Sequence, residues 1–171
     1  MTNTKTDLAI KILIGALLVA LIVIIAGTLN ERVVKAGDTA PDFALTTDHG
    51  QKITPTSFGG KVLVLHFWGS WCAPCVEEVP SLSEFQKKVA NSGVVVVGVS
   101  IDTNEAAYRR FLQQHPVAFQ TARDPDSDIS ASYGTYKVPE TYIIDRTGKV
   151  VQKIIGEGDW GDTMVSYVKS L

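Results

Sequence analysis

Two long, almost purely apolar runs of β-forming residues constrain the fold of this chain more than any other feature. They are residues 61–68 (KVLVLHFW) and residues 94–101 (VVVVGVSI). Runs of this kind, without alternating polar residues, are typical of strands that are buried on both faces of a sheet. Between them, the apolar residues of 76–90 recur at helical spacing. This order predicts two parallel strands that are joined by a crossover helix.

The rest of the chain extends this pattern into a mixed sheet. A second helix follows over 104–115, with Asn104 as its N-cap. Residues 141–145 and 150–155 read as strands separated by a four-residue turn, which predicts an antiparallel hairpin. Residues 160–170 read as a closing helix. We therefore expect an α/β domain whose mixed sheet is covered by helices on both faces.

An apolar segment near the N-terminus predicts a membrane anchor. Residues 12–29 carry no charge, and as a helix at ~1.5 Å per residue they would reach roughly 27 Å, close to the bilayer core. A buried core helix and a cleaved signal peptide are the alternatives, but the run is longer than the apolar region of most signal peptides. We expect a short tail over 1–11, a transmembrane signal-anchor helix over 12–29, a linker over 30–36 and the globular domain over 37–171. Two basic residues flank each end of the span, so charge does not set its orientation.

The charge of the predicted domain excludes one class of partner. Beyond residue 36 the chain has 12 Lys and Arg against 16 Asp and Glu, a net charge of −4. The basic residues form no cluster, so nucleic-acid binding has no electrostatic support.

The only two cysteines, Cys72 and Cys75, lie in FWGSWCAPC, after the first buried strand and at the start of the first helix of the domain. Haem attachment requires a histidine directly after the second cysteine, where this chain has Val76. A structural zinc site needs four ligands, and the three histidines are scattered singly. A purely structural disulfide would close a ring of only four residues, and the Pro-x-x-x-Thr/Ser-x-x-Cys context of a peroxidase is absent. A redox dithiol is the hypothesis that this placement favours.

A position at the start of a helix suits two redox cysteines. Cysteines three residues apart in a helical turn have Cα atoms near the ~5.5 Å that a disulfide prefers. Free N–H groups and the helix dipole stabilise a thiolate there. We expect Cys72 to be the exposed nucleophile and Cys75 the buried resolving thiol. Pro74 fits the first helical turn and stiffens the pair.

Three segments carry a resemblance to a known family: FWGSWCAPCVEEVPSL, APDFAL and KVPETYIIDRTGKV. Together they resemble the membrane-tethered thioredoxin-like proteins of the TlpA/ResA type, which include the CcmG/DsbE reductases of cytochrome c maturation. The resemblance covers nearly all of residues 37–171. It implies a thioredoxin-like three-layer α/β/α fold with a mixed central sheet, an N-terminal β-hairpin extension and a central βα insertion. It also implies a reductant for exported proteins, often apocytochrome c before haem attachment.

The resemblance assigns further residues to the site. It makes Glu78 an acid that handles protons for the cysteines, against the alternative of a solvated helix carboxylate. It makes Pro139 the cis-proline of a loop that packs against the dithiol, with Val138 offering its backbone to an extended substrate. Glu140 is expected either to contact substrate or to cap a strand. Trp71 is expected to flank the site.

His66 departs from the pattern of the family. Thioredoxins often have aspartate six residues before the first cysteine, and this branch often has asparagine. One alternative is a buried, neutral histidine with a hydrogen-bonded ring. The other is a proton relay or redox tuner beneath the cysteines.

The apolar segment and the dithiol predict a single-pass membrane protein with a thiol–disulfide oxidoreductase domain. The resemblance implies that the membrane is the cytoplasmic membrane of a bacterium, that the tail over 1–11 is cytoplasmic, and that the domain is extracytoplasmic and acts as a reductant. We expect a disulfide-containing exported client, a membrane electron donor of the thiol type, a monomeric chain, no metal and no bound cofactor beyond the Cys72–Cys75 disulfide. Two alternatives stay open: a reductant for copper-site assembly proteins or other clients, and a non-enzymatic copper carrier that uses both cysteines and a histidine.

Overall fold

The computed structural model describes residues 4–28 and 33–171, in two compact units. The N-terminal unit contains helix α1 (Thr4–Thr28). Its stretch Asp7–Ile24 has a mean hydropathy of 2.6 and is unburied, so α1 is long and apolar enough to cross a membrane. The predicted span 12–29 falls within this helix except for residue 29, which lies outside the described residues, as does part of the predicted linker.

The second unit is built on a five-stranded mixed sheet. The strands of the chain are β1 (Leu45–Thr46), β2 (Lys52–Ile53), β3 (Val62–Trp68), β4 (Val94–Ser100), β5 (Gln120–Arg123), β6 (Glu140–Ile144) and β7 (Val150–Ile155). Strands β5, β4, β3, β6 and β7 lie side by side in that order, and β1 pairs only with β2. The pairs β3–β4 and β4–β5 are parallel, whereas β6 is antiparallel to both β3 and β7. The predictions of a mixed sheet, an N-terminal hairpin and a C-terminal hairpin are confirmed.

Helices connect these strands much as the sequence predicts. They are α2 (Ala73–Val89), α3 (Glu105–Gln114), α4 (Asp128–Ser132), α5 (Asp162–Ser170) and a 3-10 helix (Pro55–Phe58). Asn104 caps α3 through a hydrogen bond that its Oδ1 accepts from the amide of Ala107 at 3.1 Å. The central insertion consists of α3 and β5. Strand β5 begins at Gln120, six residues after α3 ends.

The two faces of the sheet bury separate cores. On one face, Leu63, Leu65 and Phe67 of β3 pack against the N-terminal hairpin, the 3-10 helix and the segment around α4. On the other face, Val62 and Val64 pack against apolar residues of α2 and α5. The prediction of three layers is confirmed, although the first of these outer layers is formed mainly by the hairpin and short helices.

Gly98 permits close packing on the face that carries the site. It lies in β4 opposite His66, and a methyl group on its Cα would lie 2.8 Å from Cε2 of Phe119 and 3.0 Å from Nε1 of Trp68. Both rings are buried. We therefore expect Gly98→Ala to lower the free energy of unfolding by about 1–3 kcal/mol, measured by chemical denaturation of the full chain in detergent. Gly59→Ala is the control because its nearest contact would be an ordinary 3.4 Å, and equal losses in the two variants would refute the packing explanation.

Candidate active site

The dithiol lies where β3 ends and α2 begins. Cys72 is the N-cap of α2, and its Sγ accepts the amide N–H of Cys75 at 3.3 Å. This cap explains why α2 begins at Ala73, three residues before the helical pattern in the sequence. The structure holds the pair as a disulfide with a Cα–Cα distance of 5.2 Å. The amide and the helix N-terminus are placed to stabilise a thiolate on Cys72 once the disulfide is reduced.

The two cysteines are unequally accessible. Cys75 is fully buried and Cys72 is 5% exposed. Cys72 is thus the more exposed cysteine, as predicted, but it is far less exposed than expected. The reason is the loop that carries Pro139, because the carbonyl oxygen of Val138 lies 3.6 Å from Sγ of Cys72. The Val138–Pro139 peptide bond is cis. Sequence and structure therefore agree that this loop packs against the dithiol.

A buried carboxylate fixes the loop before Cys72. Asp102, directly beyond β4, accepts hydrogen bonds from the amide and the hydroxyl of Ser70 at 2.8 and 2.7 Å. It also accepts one from the hydroxyl of Ser100 at 2.6 Å. Sequence reasoning did not single out Asp102. The sequence did contain a signal for it, because Asp102 follows a strand that is parallel to β3. The carboxyl ends of parallel strands lie at the same edge of a sheet, which places Asp102 near the loop that follows β3.

Three exposed apolar side chains lie on segments next to the dithiol or next to the loop that carries Pro139. Trp71 is 65% exposed, Tyr136 74% and Ile155 52%. Trp71 and Tyr136 line one groove of about 360 Å³ together with Val138, and Ile155 pairs with Glu140 in the sheet. In the described residues of 33–171, the one other large apolar side chain exposed to this degree is Val33.

Glu78 lies inside the protein, one helical turn after Cys75. Its Oε1 accepts hydrogen bonds from the amide of Gly158 at 2.7 Å and from Nε1 of Trp160 at 2.5 Å. Its Oε2 is buried without a hydrogen-bond partner. Burial raises the pKa of this carboxyl, and the two hydrogen bonds oppose that rise. The alternative of a solvated helix carboxylate is therefore wrong, and the role of Glu78 in proton transfer stays a prediction.

The hydrogen bond from Trp160 makes a prediction about the titration of Glu78. Trp160→Phe keeps an aromatic ring against Phe85 but removes a donor that favours the charged carboxylate. We expect the titration midpoint of Glu78 to rise by about 1–2 pH units, since a hydrogen bond to a charged group contributes about 1.5–3 kcal/mol. Carboxyl ¹³C NMR of the full chain would measure it, with exposed Glu84 as the internal reference. A midpoint that falls or stays constant would contradict this description of the site.

His66 is buried on the same sheet face, beneath α2. Its Nδ1 lies 2.9 Å from Oγ1 of Thr141, and its Nε2 lies 3.9 Å from Oε2 of Glu78. Burial lowers the pKa of His66 to about 3, so the ring is neutral near pH 7. These are the features of the buried, hydrogen-bonded histidine that was the first of the two predicted alternatives. The second, a proton relay, acquires a specific partner in Glu78.

Glu140 does not lie at the surface. Its side chain is fully buried, and its Oε1 is 2.6 Å from Nζ of Lys153 and also accepts a hydrogen bond from the hydroxyl of Tyr142. Direct contact with a substrate, one of its two predicted roles, is therefore unavailable to this carboxylate in the structure. It begins β6, directly after the cis-proline, and ties that end of the strand to β7.

The described residues contain no cluster of three or more His, Cys, Asp or Glu side chains that could hold a metal ion.

Trp68, the second tryptophan near the cysteines, is buried against them and against the rings of Tyr108 and Phe111. It thus belongs to the core beneath the site, whereas Trp71 belongs to its surface.

Comparison with known proteins identifies the family. The profile of the AhpC/TSA family matches residues 36–153. The chain belongs to this family. It is 36% identical over 142 residues to the thiol-disulfide oxidoreductase ResA of Bacillus thuringiensis subsp. konkukian (strain 97-27), an alignment that covers 83% of this chain and 82% of that protein. ResA of Bacillus subtilis (strain 168) is 32% identical over 123 residues, with 72% and 69% covered.

A solved structure agrees with these relatives. The crystal structure of a Chlorobium tepidum protein assigned as the thiol:disulfide interchange protein DsbE superposes with a TM-score of 0.70 at 33% identity, covering 80% of this chain and 94% of that one. The predictions of a thioredoxin-like fold and of ResA- and DsbE-type relatives are confirmed. With the Cys72–Cys75 pair in place, the protein is a thiol–disulfide oxidoreductase.

Proposed function

We propose that the protein is a membrane-tethered reductant that opens disulfides in exported proteins, with apocytochrome c before haem attachment as its client. The observation that carries this proposal is the Cys72–Cys75 disulfide at the start of α2, against which the backbone of Val138 lies. Its relatives ResA and DsbE support the reaction class. The sequence resemblance to the reductases of cytochrome c maturation supports the choice of client.

The reaction begins with the reduced dithiol. The Cys72 thiolate attacks one sulfur of the client disulfide, whose S–S bond breaks, and one client sulfur leaves as a thiolate. Cys75 then loses its thiol proton to Glu78 and attacks Sγ of Cys72, which expels the second client sulfur as a thiolate. Two electrons have passed to the client, and the Cys72–Cys75 disulfide has formed again. A membrane donor of the thiol type reduces it for the next cycle.

The surroundings of Cys72 suit an extended client segment. The backbone of Val138 lies against Cys72, where it is placed to pair with client main chain in the manner of an added strand. Trp71 and Tyr136 supply apolar surface beside it. Main-chain hydrogen bonds do not depend on which side chains the client segment carries. The apolar groove is therefore the feature that would select the client.

The N-terminal helix supports a tether. Its unburied apolar surface suits a signal anchor that leaves the catalytic domain, as a monomer, on the extracytoplasmic side of a bacterial cytoplasmic membrane. Protease added to intact spheroplasts should then degrade the domain and leave cytoplasmic markers whole. Degradation only after lysis would place the domain on the cytoplasmic side.

A competition between substrates tests the client. The reduced full-length protein in detergent is mixed with oxidised apocytochrome c, whose CxxCH motif carries the disulfide, and with an oxidised copper-site assembly protein. We expect faster reduction of apocytochrome c. Faster reduction of the copper-site protein would reassign the client, and stoichiometric copper binding without disulfide reduction would replace the reductase by a carrier.

A further inference from the structure

Two buried ionisable side chains face each other between β3 and α2, the strand and the helix that flank the dithiol in the chain. Nε2 of His66 and Oε2 of Glu78 are 3.9 Å apart, and both side chains are 2% exposed. This distance exceeds a hydrogen bond, and Oε2 has no other hydrogen-bond partner. A buried polar atom without a partner is costly, so its orientation toward an imidazole nitrogen calls for a chemical explanation.

The existing hydrogen bonds determine where a proton would reside. Oε1 of Glu78 already accepts N–H groups from Gly158 and Trp160, so a proton on this carboxyl belongs on Oε2. At His66, Nδ1 is within hydrogen-bond distance of Oγ1 of Thr141. A neutral imidazole that donates its proton from Nδ1 leaves Nε2 as an acceptor. Closing the gap to Oε2 by about 1 Å would then complete an O–H···N hydrogen bond.

We propose that His66 is a positioning residue for the redox reaction: its neutral Nε2 accepts a hydrogen bond from protonated Glu78 and so holds the proton that Cys75 releases as it attacks the mixed disulfide. The inference rests on the proposed function of Glu78 as the proton acceptor. The proton moves from the sulfur of Cys75 to Oε2, and the electron pair of the S–H bond stays on sulfur for the attack. The proton returns to the dithiol when the membrane donor reduces it.

The neutrality of the imidazole determines the direction of the effect. A charged imidazolium would favour the carboxylate, whereas a neutral acceptor favours the protonated carboxyl and raises its pKa. Burial keeps His66 neutral. Glu157 carries a negative charge that also raises the pKa of Glu78, and Cys75, one turn earlier on α2, becomes ionisable once the disulfide is reduced. His66 therefore acts in the same direction as burial and as Glu157.

The first test replaces the acceptor. His66→Asn offers an amide that also donates hydrogen bonds, which favours the charged carboxylate. In the full-length protein in detergent, with ¹³C-labelled glutamate carboxyls, the titration midpoint of Glu78 should fall by about 0.5–1 pH unit, the equivalent of one hydrogen bond. Glu78→Gln identifies the signal, and Glu84 on the exposed face of α2 should not move. An unchanged midpoint for Glu78 overturns the proposal.

The second test leaves His66 in place. In the wild-type protein, ¹⁵N signals of the ring should show the proton on Nδ1 and a bare Nε2, and a proton on Nε2 overturns the proposal even if His66→Asn fails to fold. Thr141→Val keeps the shape of that side chain but removes the oxygen that accepts the Nδ1 proton in the proposed tautomer, so the Glu78 midpoint should again fall. Neither test uses a client. A negative result in these titrations would therefore refute the role of His66 without bearing on the reductase activity. The reductase activity is tested separately, with the cysteine variants.

Discussion

Replacement of Cys72 by alanine is expected to reduce disulfide reduction to the rate measured without protein. Cys72 is the more accessible sulfur, it caps α2, and it receives the amide of Cys75. Cys75 is fully buried, so it has no path to a client disulfide. Turnover of oxidised insulin or apocytochrome c by the full-length protein measures the loss. The reduced wild-type protein is the reference, because neither it nor the Cys72→Ala variant contains the internal disulfide.

The matched control is Cys75→Ala. It also stops turnover, but it keeps the first attack and should release one client thiolate per protein molecule before it stalls. Cys72→Ala should release none. Activity that survives Cys72→Ala would mean that Cys75 reaches the client, which the burial of this residue does not permit in the structure described here.

The second large effect is expected from Glu78→Gln. Glutamine keeps a carbonyl oxygen for the N–H groups of Gly158 and Trp160 but cannot take a proton from Cys75. General acid–base catalysis contributes about 10²–10⁴-fold, so release of the second client sulfur should slow by about that factor. The attack of Cys72 should change less. Rapid-quench trapping of the mixed disulfide over time separates the two steps, since the intermediate should accumulate in the variant.

Glu77→Gln makes the same charge change one residue earlier. Glu77 is exposed on α2, so this control should resolve the mixed disulfide at the wild-type rate. If the two glutamine variants behaved alike, the effect would belong to the overall charge of the helix and not to proton transfer by Glu78.

Much of the fold was predictable because its signals are local. The apolar runs that form β3 and β4, the turn between β6 and β7 and the Asn104 cap are each contained in a few consecutive residues. The start of α2 at the cysteines was also predicted, although the apolar pattern of this helix begins only at Val76. Propensity rules assign N-caps to Ser, Thr, Asp and Asn, and they do not anticipate the cysteine sulfur that caps α2.

The site was predictable only in part because its side chains find partners far along the chain. The spacing of the cysteines identified the reactive pair. The environment of Glu78, however, depends on Trp160, 82 residues away. Likewise, the burial of Glu140 depends on Lys153 in the neighbouring strand. Such pairings follow from tertiary packing, and no local pattern encodes them.

Trapping in native membranes tests most directly whether Cys72 meets the client and Cys75 releases it. Full-length Cys75→Ala should accumulate a mixed disulfide whose partner, identified by mass spectrometry, is an exported protein joined through a cysteine of a CxxCH motif. Cys72→Ala should trap nothing above the level of a variant without cysteines. Adducts formed equally well through Cys75 in the Cys72→Ala protein would contradict this division of labour between the two sulfurs.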